Sequence, residues 1–225
     1  MTKPLNPSEY AWWLASRGSG IVALVLITAS VGLGLAMASK VVTARGAKPI
    51  MARVHEQTAL AGLIAIAVHG ITLLGDSWLN PGVKGLLVPF AMEYEPVFTG
   101  LGIIAGYIAA ALGLSFYLRR RIGAKLWRKA HRATVVVYLL AIVHTLGAGT
   151  DAGSSLLRAF MLATGVPIVV LFVVRVRAAR NAPARPAPAA RPAAARPVAP
   201  VEKPAGKPAR HPHPHRPLTP AQETT

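Results

Sequence analysis

The sequence predicts an all-α integral membrane bundle of about five transmembrane helices followed by a disordered C-terminal tail. Three observations carry that expectation. Hydrophobic residues make up 53% of the 225-residue chain against 15% charged residues, a balance too apolar for an ordinary soluble domain. Five runs, about 13–38, 54–75, 97–118, 131–149 and 156–176, are long and apolar enough to cross roughly 30 Å of hydrocarbon as helices. After Arg180 the composition turns abruptly to Pro, Ala and Arg, and nothing apolar remains to build a core.

The first run carries Lys3 and Arg17 before Ile21 to Leu35 and ends in Ala36-Met37-Ala38, a pattern shared with cleavable export signals. It is read as a retained helix, because Trp12 to Ala38 is longer than a signal core and basic residues follow at once. Lys40, Arg45, Lys48 and Arg53 fill the first loop, and Arg119, Arg120, Arg121, Lys125, Arg128 and Lys129 fill the third. Cytoplasmic loops are enriched in Lys and Arg, so these two are expected inside. The second and fourth loops carry Asp76, Glu93, Glu95 and Asp151 against Lys84. One orientation satisfies all four, with the N-terminus outside and the C-terminus in the cytoplasm. The net charge of +17 is therefore read as a topology signal and not as a nucleic-acid footprint.

Between the second and third runs, Ser77 to Pro96 is apolar but broken by Pro81, Gly82, Gly85, Pro89 and Pro96. Proline removes backbone donors, so a sixth spanning helix is excluded. Trp78, Phe90 and Tyr94 suit an outer interface or a segment folded back over the bundle. With no cysteine, disulfides, iron–sulfur clusters and thiolate chemistry are excluded. His211, His213 and His215 alternate with prolines in the tail and are read as solvated.

The second and fourth runs share a pattern: a basic residue, a histidine, an apolar run, a second histidine, then an aspartate seven residues on. It reads Arg53, His55, His69, Asp76 and then Arg128, His131, His144, Asp151. At 1.5 Å per residue, His55 and His69 stand about 21 Å apart along a helix, and His131 and His144 about 19.5 Å. An inner pair, His55 with His131, and an outer pair, His69 with His144, would each clamp one flat cofactor between two parallel helices. Haem suits this arrangement, since its iron takes an axial nitrogen on each face and its porphyrin fills apolar space. Zinc or copper would need three or four converging ligands. Thirteen steps at about 100° leave His144 about 140° from His131 on an ideal helix, so a π-type turn or comparable unwinding is expected in the fourth run.

These residues resemble the ferric reductase-like transmembrane domain shared by ferric reductases, NADPH oxidases and the haem-binding subunit of periplasmic methionine sulfoxide reductase. Thirteen residues lie between His55 and His69 and twelve between His131 and His144, as in the paired histidines of that family. The likeness extends to Arg17 with Gly18 and Gly20, and to Leu126-Trp127-Arg128-Lys129-Ala130-His131, and covers about residues 10 to 176. It implies a di-haem domain over 1–180 with two b-type haems, held by His55, His69, His131 and His144, with Arg17 near a propionate of the outer haem. Arg53, Arg128 and Arg132 could serve the inner haem. Asp76 and Asp151 are expected to cap or end helices.

The likeness further implies a multi-pass protein of a bacterial plasma membrane, in contact with lipid. Its implied function is electron transfer from a separate reductase or a quinol to an extracytoplasmic acceptor, because no flavin or nicotinamide domain follows the last span. The rival class is a proton-coupled or metal transporter with intramembrane histidines. Such transporters show inverted repeats and broken helices at the midplane, whereas here the repeat runs in one direction and the histidines lie near the edges.

Overall fold

The computed structural model describes residues 7–39 and 46–181. The expected disordered tail from residue 182 onward, with His211, His213 and His215, lies outside the described residues.

Among the described residues seven helices follow in order: α1 (Pro7–Ala38), α2 (Ala47–Leu73), α3 (Gly82–Leu87), α4 (Pro96–Ile122), α5 (Ala124–His131), α6 (Thr134–Ala148) and α7 (Ser155–Arg180). Five candidate spans result, with α5 and α6 together forming the fourth. The protein is therefore a multi-pass membrane bundle. The helices are apolar on several sides, and α7 turns Leu162, Val166 and Val174 outward, as a lipid-facing helix does. No strand occurs among the described residues.

Packing proceeds in two antiparallel pairs. α1 lies along α2 and α4 lies along α6, while α2 and α6 are not among the closely packed pairs. One apolar cluster, Val31, Leu35, Val135, Tyr138 and Ile168, joins α1, α6 and α7. Tyr138 is fully buried and its hydroxyl meets Thr164 Oγ1 at 3.4 Å. A second cluster of Ala105, Ala109 and Val137, with Leu63 and Ile66 against it, joins α4, α6 and α2. The histidine-bearing helices are thus held near each other by neighbours.

The break between α5 and α6 differs from the expected π-type loosening. Around it, Arg132 N–H donates to Lys129 O (3.3 Å), Ala133 N–H to Ala130 O (2.9 Å) and Val135 N–H to Arg132 O (3.4 Å). These are tight, three-residue bonds. Three-residue winding turns about 120° per step against 100° for an α-helix. The chain therefore winds more tightly at the break, and three steps gaining about 20° each supply about 60° of the roughly 140° that separate His144 from four full turns after His131.

Residues 74–95 do not span. Asp76 Oδ1 accepts Trp78 N–H (3.0 Å) and Leu79 N–H (3.2 Å), which turns the chain after α2 as expected of this residue. The short α3 follows, Leu87 O accepts the Tyr107 hydroxyl of α4, and the Phe90 ring lies over Gly100, where any Cβ would collide. The segment folds back over the bundle.

Candidate cofactor-binding site

All four intramembrane histidines are half-buried and meet as the spacing predicts. The ring centres of His55 and His131 lie 6.1 Å apart with planes crossing at 89°. Those of His69 and His144 lie 6.4 Å apart at 72°. An imidazole nitrogen sits about 2.0–2.1 Å from a bound first-row metal ion and the ring centre about 1.1 Å behind it, so two rings on opposite sides of one ion have centres about 6.3 Å apart. Both pairs match that separation. Among the described residues no three His, Cys, Asp or Glu side chains gather as a metal-binding group, so each site offers two nitrogens and no more.

The tautomers are constrained as well. His55 Nδ1 lies 2.8 Å from Ser30 O, His69 Nδ1 2.7 Å from Ser16 O and His144 Nδ1 2.9 Å from Phe98 O. A carbonyl only accepts, so Nδ1 carries the proton in each and Nε2 keeps its lone pair for a ligand. Ser30 Oγ adds a contact of 3.1 Å to His55 Nδ1. His131 is held otherwise. Its Nδ1 is buried and has no hydrogen-bond partner among the described residues, and its ring stacks on Trp127 with centres 4.8 Å apart and planes at 22°.

A cavity of about 730 Å³ opens at the second pair, lined by His69 and His144 together with Arg17, Gly20, Asp76 and Asp151. Its volume is that of a cofactor-sized pocket. Most of its wall is apolar, and residues of the folded-back segment, among them Trp78, Met92 and Tyr94, cover part of it. His55 and His131 are not in its lining. The second site therefore fits a large flat apolar group with two axial nitrogens. The first pair matches it in ring separation alone.

Arg17, expected beside a cofactor carboxylate, lies in the wall of this cavity. Its Nε and Nη2 donate to the two oxygens of Asp151, and the guanidinium sits 4.8 Å from the Trp13 ring centre. Asp151, expected to cap a helix, spends its carboxylate on this pair, and Ser154 takes the cap of α7 through Leu157 N–H. Asp76 is 3% exposed, and its Oδ2 has no partner among the described residues. Arg53, Arg128 and Arg132 are exposed.

Sequence reasoning missed the carbonyls of Ser16, Ser30 and Phe98, and the role of Trp127. A signal was present. Ser16-Arg17-Gly18-Ser19-Gly20 and Ser30-Val31-Gly32-Leu33-Gly34 repeat at fourteen residues, the same interval that separates His69 from His55 on the antiparallel helix.

A family model described as ferric reductase like transmembrane component matches residues 19–142, more than half of the 225-residue chain. No curated protein and no solved structure matches.

Proposed function

The chain belongs to the ferric reductase-like transmembrane family, and from that premise we propose that it is a b-type di-haem cytochrome that transfers electrons across a bacterial plasma membrane. Members of this family generally bind haem. The observation that carries the reading is the pair of ring separations, 6.1 and 6.4 Å, repeated at two depths between α2 and the span formed by α5 and α6. The two depths differ by about 20 Å, two thirds of a hydrocarbon core of about 30 Å.

Haem iron, when bound, supplies one-electron exchange between ferric and ferrous states. The residues supply the rest. His55 and His131 would hold the inner group, and His69 and His144 the outer one. Nδ1–H bonds to backbone carbonyls orient His55, His69 and His144 and make their Nε2 atoms stronger donors. With two imidazoles at each site to hold the group, the arrangement would favour electron transfer over oxygen binding. Arg17, held by Asp151, has Nη1 left to donate to a carboxylate of the outer group, and the segment 77–95 limits water at that end.

In this reading residues 1–180 form the haem domain, with the N-terminus outside and the C-terminus in the cytoplasm. A separate reductase or a quinol donates, and the acceptor lies outside. Reduced-minus-oxidised spectra of the purified protein, with haem per chain, test the proposal. Two b-type haems per chain are expected, and a colourless or single-haem protein would overturn it.

A further inference from the structure

The three carbonyls that meet histidine Nδ1 atoms share a local arrangement. Ser16, Ser30 and Phe98 are each followed four residues later by glycine: Gly20, Gly34 and Gly102. In an α-helix every Cα–Cβ bond tilts toward the N-terminus, so a side chain at i+4 leans over the carbonyl of residue i. These glycines leave that carbonyl open. A Cβ on Gly20 would lie 3.0 Å from His69 Nδ1, one on Gly34 3.2 Å from His55 Cε1, and one on Gly102 2.5 Å from His144 Nδ1. A Cβ on Gly18 or Gly32, two residues before Gly20 and Gly34 on the same helix, would meet nothing within 4 Å among the described residues. The need for glycine is therefore not a general property of α1. It is specific to the positions facing histidines.

The fourth histidine breaks the pattern for a visible reason. Moving fourteen residues along α4 from Gly102, as from Gly20 to Gly34 on α1, reaches Phe116 instead of glycine. Trp127 packs on that ring at 5.9 Å between centres. Its Nε1 donates to Ser115 Oγ (3.2 Å), and its ring stacks on His131.

We propose that Gly20, Gly34 and Gly102 are positioning residues that open backbone carbonyls as seats for His69, His55 and His144, and that Trp127 is the positioning residue for His131. This inference rests on the di-haem reading. It also makes the two centres unlike: both ligands of the second pair are hydrogen-bonded at Nδ1, whereas the first pair has one such ligand and one without. A hydrogen bond at Nδ1 raises ligand basicity, so the two haems should titrate as separate steps.

The test compares Gly20→Ala, Gly102→Ala and Gly34→Ala with Gly18→Ala and Gly32→Ala, which make the same change of helix propensity on α1. Haem per chain, redox titration and the low-spin electron paramagnetic resonance signals are measured. Gly20→Ala and Gly102→Ala should lose or shift the same haem, with Gly102→Ala the more severe, while Gly34→Ala affects the other one more mildly. Both control variants should retain two unaltered haems. Trp127→Ala should lose the haem that Gly34→Ala perturbs, and Trp127→Phe, which keeps a stacking face, should restore it. A wild-type protein without two low-spin haems would defeat the di-haem reading itself. With two haems present, the seats are overturned if Gly20→Ala behaves like Gly18→Ala, if single variants lose both haems together, or if Trp127→Ala changes neither.

Discussion

The proposed function rests on four histidines and one ion pair, and each makes a separable prediction. Replacing His55 or His131 by alanine should remove one haem of two, and replacing His69 or His144 should remove the other, because each ring pair lies at its own depth. Four single variants should therefore fall into two spectral classes, scored by haem content and redox titration. Grouping of His55 with His69 would contradict the pairing. Arg17 with Asp151 is a different case. The Arg17 side chain is 37% exposed and that of Asp151 16%, so solvent screens the pair only in part. Arg17→Gln should cost about 1–3 kcal/mol in thermal stability in detergent, the range for hydrogen bonds to charged groups less solvent screening. A double-mutant cycle with Asp151→Asn should show coupling, and independent effects would show that the pair contributes nothing. The same variants should shift the potential of the His69–His144 centre and leave the other unchanged.

At the scale of the helix, the sequence was most legible where a regular interval met a chemical need. The histidine intervals, the five apolar runs and the helix-breaking prolines of 77–96 all translate directly into the structure. What was not legible depends on neighbours. An ideal helix points His144 away from His131, and only the tight bonds at Lys129 to Val135 show that the correction is overwinding. In the sequence Trp127 is only one residue of the Leu126–His131 entry to the fourth run, and its stack on His131 depends on the break after α5. Asp76 and Asp151 occupy equivalent places in the sequence repeat, yet one turns a loop and the other pairs with Arg17 from a distant helix. That difference comes from what α1 brings opposite each, which no local pattern records. The covering segment gives an element-scale prediction. Asp76→Ala removes the acceptor for Trp78 and Leu79 N–H, a capping loss worth about 1 kcal/mol. Limited proteolysis between 77 and 95 should accelerate several-fold while the His55–His131 centre keeps its spectrum. Unchanged cleavage would show that Phe90 on Gly100 and Tyr107 on Leu87 hold the segment alone.

Across the whole molecule the charges divide by end. α1 ends where α2 begins, and Arg175 of α7 donates to Ala38 O of α1, so Lys48, Arg53, Arg175, Arg177 and Arg180 share one end of the bundle. α4 ends in Arg119, Arg120 and Arg121, and α5 adds Lys125, Arg128 and Lys129. The opposite end holds Asp76, Glu93, Glu95 and Asp151 with fewer cations, Arg17, Lys84 and Arg158. Lys and Arg beside spans resist translocation, each being costly to move through hydrocarbon, whereas acidic residues contribute little to orientation. The basic end should therefore face the cytoplasm. Fusions of a reporter active only in the cytoplasm should be active in 39–53 and 119–130 and silent in 77–96. That outcome would put the His55–His131 pair on the cytoplasmic side and the cavity of the His69–His144 pair on the far side. Activity in 77–96 would invert the protein and with it the proposed direction of electron flow, while leaving the pairing of the histidines untouched, since that pairing follows from helix packing and not from orientation.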